Sequence, residues 1–326
     1  MKVCLGASTT LLLSACEGEG SILDPAGPAA ERIVRLFWIL HVPAIVVFVV
    51  VMLLLAAALL RGRRHVADHE IERAEPPWAD RFIFVSGVVI PTIVLVGVFV
   101  WSLRDMDALS SPADATALEI EVEARDWWWK VSYPGTAAVT ANEIHIPTGE
   151  PVRIALTTGD VIHSFWVPRL QVKMDTVNGT TNHLWLQADE PGTYRGQCAE
   201  FCGLQHANMI FYVVAHERPE FESWLANESG PADIAAASEG LEVFTGSTCL
   251  GCHAIRGTEA DSDVGPDLTH LASRSTIGAG ILPNTRSNLE ALIVEPHEVK
   301  PGIAMPPTAF SSDELDALLD FLEGLD

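Results

Sequence analysis

Two long apolar runs constrain this chain more than any other feature. They cover residues 36–60 and 82–103. Each is long enough to cross a bilayer, which takes about 20 helical residues. Backbone polar groups in lipid must be satisfied within the segment, so both runs predict transmembrane helices. His41 and Pro43 lie near the start of the first run, and Pro91 lies inside the second. Arg61-Gly62-Arg63-Arg64-His65 follows the first run. Such a basic cluster places the connection in the cytoplasm, against a smaller opposing pull from Arg32 and Arg35. The N-terminus and everything after Leu103 then lie outside.

The leader agrees with that orientation. Residues 1–15 carry Lys2, a short apolar stretch and the ending Leu13-Ser14-Ala15 before Cys16. A short apolar region followed by small residues is a secretory signal and not a span. Leu-Ser-Ala-Cys resembles the bacterial lipoprotein signal, which leaves Cys16 as a lipidated N-terminus. The alternatives are an ordinary signal with a nearby cut, or an incidental cysteine. Cys4 leaves with the leader. The expected location is the bacterial plasma membrane, with two spans and the folded domains on the external side.

After a polar connector at 104–116, the pattern changes to period-two alternation. It appears in Leu118-Glu119-Ile120-Glu121-Val122-Glu123, at 152–156, at 183–186 and at 209–214. Short alternating runs separated by Pro-Gly and Thr-Gly turns predict an all-β sandwich or barrel. A short helix at 219–225 closes this domain, and 227–233 forms a Gly/Pro-bearing linker. Segments 234–244, 289–293 and 313–322 predict helices joined by Gly/Pro-rich loops. The expected division is signal 1–15, anchor and spans 16–103, β domain 104–226, linker 227–234 and helical domain 235–326. The chain holds 20 basic and 43 acidic residues, a net charge of −23. That surface argues against nucleic acid, whose phosphates need Lys and Arg. It suits a basic protein partner, or simply solubility outside the membrane.

The remaining cysteines fall in two motifs. The first is Cys198-Ala199-Glu200-Phe201-Cys202, followed by His206 and Met209. Thiolate, imidazole and thioether together are a copper ligand set, since soft sulfur disfavours hard cations. A mononuclear site needs one cysteine, whereas two at this spacing can bridge two coppers. Each copper then needs one imidazole and one weak axial ligand. His206 supplies one imidazole, and His163 in Val161-Ile162-His163-Ser164-Phe165-Trp166 is the best-placed second. Met209 is one axial ligand, and a backbone carbonyl of the loop can be the other. A disulfide or half of a zinc site accounts for the cysteines but not for the histidines and methionine. His145, His183 and His216 read as ordinary strand or loop histidines.

The second motif is Cys249-Leu250-Gly251-Cys252-His253, the c-type haem attachment pattern. Its thiols bond the haem vinyl groups, and His253 lies beneath the iron. Met305 is the only methionine after His253. As the opposite axial ligand it raises the reduction potential. His270 and His297 are rivals that read as surface histidines.

Over residues 30–225 the chain resembles subunit II of cytochrome c oxidase, and residues 235–326 resemble a class I cytochrome c. Gly265-Pro266-Asp267-Leu268 resembles the loop supporting the proximal histidine there. The resemblance implies a two-helix transmembrane hairpin, a cupredoxin-like β-sandwich and an all-α cytochrome domain. It implies a binuclear CuA centre held by His163, Cys198, the Glu200 carbonyl, Cys202, His206 and Met209. The Glu200 side chain matches a residue that reaches a magnesium ion shared with subunit I. Trp127, first of Trp127-Trp128-Trp129, matches the residue where electrons reach the copper site; packing is the rival reading. If this segment is a strand, Trp128 faces away from its two neighbours. Glu75 matches an acidic residue at a proton-channel mouth, or is a solvated loop residue.

The implied function is electron input to a terminal oxidase, from a donor through haem c and CuA to the haem–copper subunit I, which reduces oxygen to water. Subunits I and III, a cytochrome c or upstream reductase complex, and membrane lipid are the implied partners. The alternatives are a CuA subunit serving a nitric-oxide reductase, and a free-standing membrane-anchored electron carrier.

Overall fold

The computed structural model describes residues 18, 20–62, 77–110, 118–234 and 239–326. Cys4, Cys16, the leader and Glu75 lie outside the described residues. The chain divides into two units, one of residues 31–111 and one containing the rest.

The smaller unit is helical. Helix α1 runs Pro28–Gly62 and is followed by α2 (Ala79–Phe84), a π-helical turn (Val85–Val89) and α3 (Ile90–Ser110). Both helical stretches are long and apolar enough to cross a membrane, and their apolar side chains are exposed. The helices exceed the apolar runs for local reasons. Pro28 and Glu31 favour the first turn of α1, the proline because it needs no N–H there and the acid because of the helix dipole. At the other end, the Trp101 indole donates to Asp105 at 2.7 Å, and Arg32 pairs with Asp105 at 3.7 Å. These contacts carry helix into what the sequence presents as a polar connector. The π-turn ends two residues before Pro91, which cannot donate to the carbonyl of Gly87, four residues back and within that turn.

In the larger unit, strands β1 (Glu119–Arg125), β2 (Trp128–Ser132), β3 (Val139–Ala141), β5 (Val152–Thr158) and β8 (Asn182–Leu186) form one five-stranded sheet in the order β3-β2-β1-β5-β8. The second sheet has the order β4-β10-β9-β6-β7. It is built from β4 (Glu143–Pro147), β6 (His163–Trp166), β7 (Met174–Thr176), β9 (Gly192–Cys198) and β10 (Ile210–His216). The alternation at 118–124 places Ile120, Val122 and Ala124 inside, fully buried. Asn142 sits in the left-handed region, at φ 61°, where the chain passes from one sheet to the other. Its side-chain oxygen accepts the Trp129 backbone N–H at 2.9 Å. Trp129, Phe165 and Phe211 meet in the core with ring centroids 4.5–5.7 Å apart. Full burial of each such ring contributes about 1.5–3 kcal/mol.

Helix α4 (Arg218–Glu228) closes the sandwich and takes in Asn227 and Glu228, which the sequence assigned to the linker. The C-terminal part holds α5 (Glu239–Thr245), α6 (Arg286–Val294), α7 (Pro296–Val299) and α8 (Ser312–Glu323). Ile234, expected to begin a helix, is non-helical. A small ribbon, Thr276–Ile277 with Leu282–Pro283, is added to the helices. Helix α8 starts with a capping box: Ser311 accepts the Glu314 N–H while the Glu314 carboxylate accepts the Ser311 N–H. Gly240 lets α5 and α8 cross closely, since a Cβ there would lie 2.5 Å from that of Phe321.

Candidate metal and haem sites

Sheet pairing assembles the first site. Strand β6 pairs with β9 so that Phe165 lies opposite Cys198, and Ala199 N–H donates to the Ser164 carbonyl at 2.9 Å. On the other side, Cys198 N–H donates to the Met209 carbonyl at 3.0 Å. His163, Cys198, Cys202 and Met209 thus converge on one buried point from three strand ends. The two sulfurs are 3.8 Å apart and form no disulfide. Cys202 Sγ lies 3.7 Å from His206 Nδ1 and 3.9 Å from Met209 Sδ. Cys198 Sγ lies 3.2 Å from the Glu200 carbonyl oxygen. His163, Cys198 and Cys202 can each offer one ligand atom, all within 4.8 Å of one another.

The orientation of His163 is settled by a residue the sequence reading missed. Asp160 Oδ1 lies 2.8 Å from His163 Nε2. Thr158 and the Asp126 backbone N–H hold that carboxylate in place. His163 Nδ1 is buried without a hydrogen-bond partner. A carboxylate on one ring nitrogen and an unpartnered second nitrogen facing thiols is the arrangement of a metal-ligating histidine. Burial opposes the imidazolium, but the nearby sulfur of Cys198 and the carboxylate of Asp160 outweigh it and raise the His163 pKa. Close pairing with Cys202 lowers the Cys198 pKa against the effect of burial, helped by His163 and the loop backbone. The same pairing, with burial, pushes Cys202 up. One thiolate is thus readily formed, and a cation is what would let both ionise. The donor chemistry and the orphaned nitrogen fit a soft metal. The only sequence signal for Asp160 was its place three residues before His163.

Trp127 lies in the turn between β1 and β2, not in a strand, so the expected alternation holds only for Trp128 and Trp129. Trp129 is wholly buried, and Arg125 stacks over Trp128 at 5.5 Å. The Trp127 indole donates to the Cys202 carbonyl at 2.7 Å, which puts it against the cysteine loop.

The second site is a cavity of about 220 Å³ lined by Cys249, Cys252, His253, Gly265, Pro266 and Met305, among others. His253 Nδ1 donates to the Pro266 carbonyl at 2.7 Å, which leaves Nε2 for a metal. Burial lowers the His253 pKa and keeps the ring neutral. Gly265 is required beneath it: a Cβ there would lie 2.7 Å from His253 Cε1. Two thiols, a neutral imidazole and a thioether around one cavity fit a covalently attached haem. His270, expected on the surface, is buried; it lies 3.2 Å from the Gly230 carbonyl and pins the linker. It does not line the cavity, and His297 is exposed. Among the other histidines, His145 lies 2.8 Å from His216 and stacks on Trp224, while His183 is exposed.

Residues 130–216 match the family described as cytochrome c oxidase subunit II, periplasmic domain, and residues 237–326 match cytochrome c. Cytochrome c oxidase subunit 2 of Alkalihalophilus pseudofirmus is 36% identical over 330 residues, covering 97% of this chain and 94% of that protein. The Bacillus subtilis protein of the same description is 31% identical over 349 residues, covering 99% and 97%. The crystal structure of the periplasmic domain of subunit II of cytochrome oxidase of Bradyrhizobium japonicum is 30% identical. It covers 34% of this chain and 93% of that one, with a TM-score of 0.33. With two membrane-length helices, a β domain and a cytochrome domain on one polypeptide, the chain belongs to the cytochrome c oxidase subunit II family and is a component of an oxidoreductase complex.

Proposed function

We propose that this chain is the electron-input subunit of a terminal oxidase and carries a binuclear CuA centre and a covalent haem c. The observation that carries the reading is the convergence of His163, Cys198, Cys202, His206, Met209 and the Glu200 carbonyl on two unjoined sulfurs. When bound, these groups supply reversible one-electron exchange between a donor cytochrome c or upstream reductase complex and the haem–copper subunit I, where oxygen is reduced to water.

The chain's residues prepare both sites. Asp160 fixes the His163 ring so that Nδ1 faces the sulfurs. Cys198, Cys202 and Met209 are buried, which keeps water from the thiolates. Cys249 and Cys252 would tether the haem, with His253 and Met305 as axial ligands. The Pro266 carbonyl holds the Nδ1 proton of His253 and strengthens it as a donor. Trp127, bonded to the Cys202 carbonyl, is where electrons would reach the copper loop. The Glu200 side chain would reach magnesium at the boundary with subunit I. Lipidation of Cys16, a proton-channel role for Glu75, an external orientation and a subunit III partner complete the reading.

The test is to purify the detergent-solubilised complex and measure its metals, haem and turnover. Two coppers and one covalent haem per chain, with oxygen reduction, are expected. A complex with no copper, or one that turns over nitric oxide in place of oxygen, would refute the reading.

A further inference from the structure

The β domain and the cytochrome domain meet at the loops that carry their candidate ligands. Lys300 lies at the centre of that contact and is only 4% exposed. It is one of four basic residues among 17 acidic ones from residue 227 onward. No carboxylate among the described residues forms an ion pair with it. Its ammonium instead faces three backbone carbonyls: Asn208 at 2.7 Å, Gly278 at 2.9 Å and Trp127 at 3.5 Å. An ammonium has three donors, and here each has an acceptor from a different segment. Burying a lone cation is costly, and a methionine would fill similar space without that cost. The lysine is therefore explained by its hydrogen bonds and not by packing.

Neighbouring contacts reinforce the joint. Gln205, also buried, donates to the Pro301 carbonyl at 2.8 Å and accepts from Asn208 at 2.9 Å. Ile210 N–H donates to the Ala279 carbonyl at 3.1 Å. Gly280 and Gly302, at φ +77° and +86°, allow close approach: a Cβ on either would lie 2.9 Å from Ile210 or Leu204 respectively. Asn208 lies between His206 and Met209, and Lys300 lies five residues before Met305. One side chain thus joins the loops of both candidate centres.

We propose that Lys300 is a positioning residue for electron transfer, tying the Met305 loop to the His206–Met209 loop and so fixing the separation of the two centres. Electron tunnelling falls steeply with distance, so a joint that drifts open slows transfer without changing either centre. The proposal rests on the copper and haem reading above.

The test uses the full chain in its purified complex, comparing wild type with Lys300→Met. Amide hydrogen exchange should quicken in segments 205–212 and 276–281 together by about tenfold, the effect of losing a charge-assisted hydrogen bond. Strands β1 and β5 should keep their protection. After pulsed photoreduction of the haem, transfer to copper should slow by more than the measured shift in the two midpoint potentials accounts for, since the lysine charge lies near both centres, while each centre keeps its optical spectrum. Should Lys300→Met fail to fold, Gln205→Leu removes the adjacent bond and should give a smaller change in the same two readouts. Unchanged exchange overturns the joint. Faster exchange with an unchanged transfer rate overturns its role in electron delivery. A wild-type complex without copper or haem signals would refute the underlying functional reading, and hydrogen exchange would still decide whether Lys300 joins the domains.

Discussion

Glu228, the last residue of α4, is 3% exposed, and its Oε1 has no hydrogen-bond partner. Burial raises its pKa from 4.5 to about 7; Arg274 and Arg256 pull the other way, while Asp267 and Glu143 add to the rise. A carboxyl whose folded pKa exceeds its unfolded value binds more protons when folded. Its contribution to stability is therefore favourable at low pH and is lost as pH rises from 4.5 through 7. The shift corresponds to about 3 kcal/mol between pH 4.5 and 8. Glu228→Gln cannot ionise, so its stability should lack this component. Any fixed cost of the amide cancels when the pH dependence of the two proteins is compared. For a unit of this size, that difference amounts to roughly 6–12 °C in melting temperature. Thermal unfolding of the detergent-solubilised full chain, followed by near-UV circular dichroism from pH 5 to 8, measures it. The variant should gain on the wild type steadily as pH rises. A constant gap between the two curves across that range would show that Glu228 does not titrate between its unfolded and folded values.

Other substitutions test the two sites and the core. Cys202→Ser should abolish the two-copper stoichiometry and the delocalised mixed-valence signal, read by metal analysis and electron paramagnetic resonance; retention of both would exclude bridging by the cysteine pair. Met305→His should keep the covalent haem and lower its midpoint potential in a redox titration, since imidazole favours ferric iron more than a thioether does. The copper spectrum should not change. Gly196→Ala places a methyl against the Phe211 ring, where there is no room for it. It should cost about 1–3 kcal/mol, seen as a lower melting temperature.

Whatever depends on near neighbours along the chain was legible before any fold was known. Helical geometry and lipid burial made both spans legible from hydrophobicity. The spacing of Cys198, Cys202, His206 and Met209 marked one soft-ligand loop, and Cys249-Leu250-Gly251-Cys252-His253 marked another site. Period-two alternation located β1, β5, β8 and β10. What depends on distant segments came from the fold. His163 meets the cysteines because β6 pairs with β9, and Asp160 decides which ring nitrogen faces them. His270, polar and placed in a loop, reads as exposed; it is buried because the linker folds back over it and offers the Gly230 carbonyl. Nothing in the sequence sets Lys300 apart; its three acceptors come from three segments. The physical reason is the same in each case. Hydrophobic periodicity and covalent spacing are local properties, whereas a buried polar group is stable only where distant parts of the chain supply its partners.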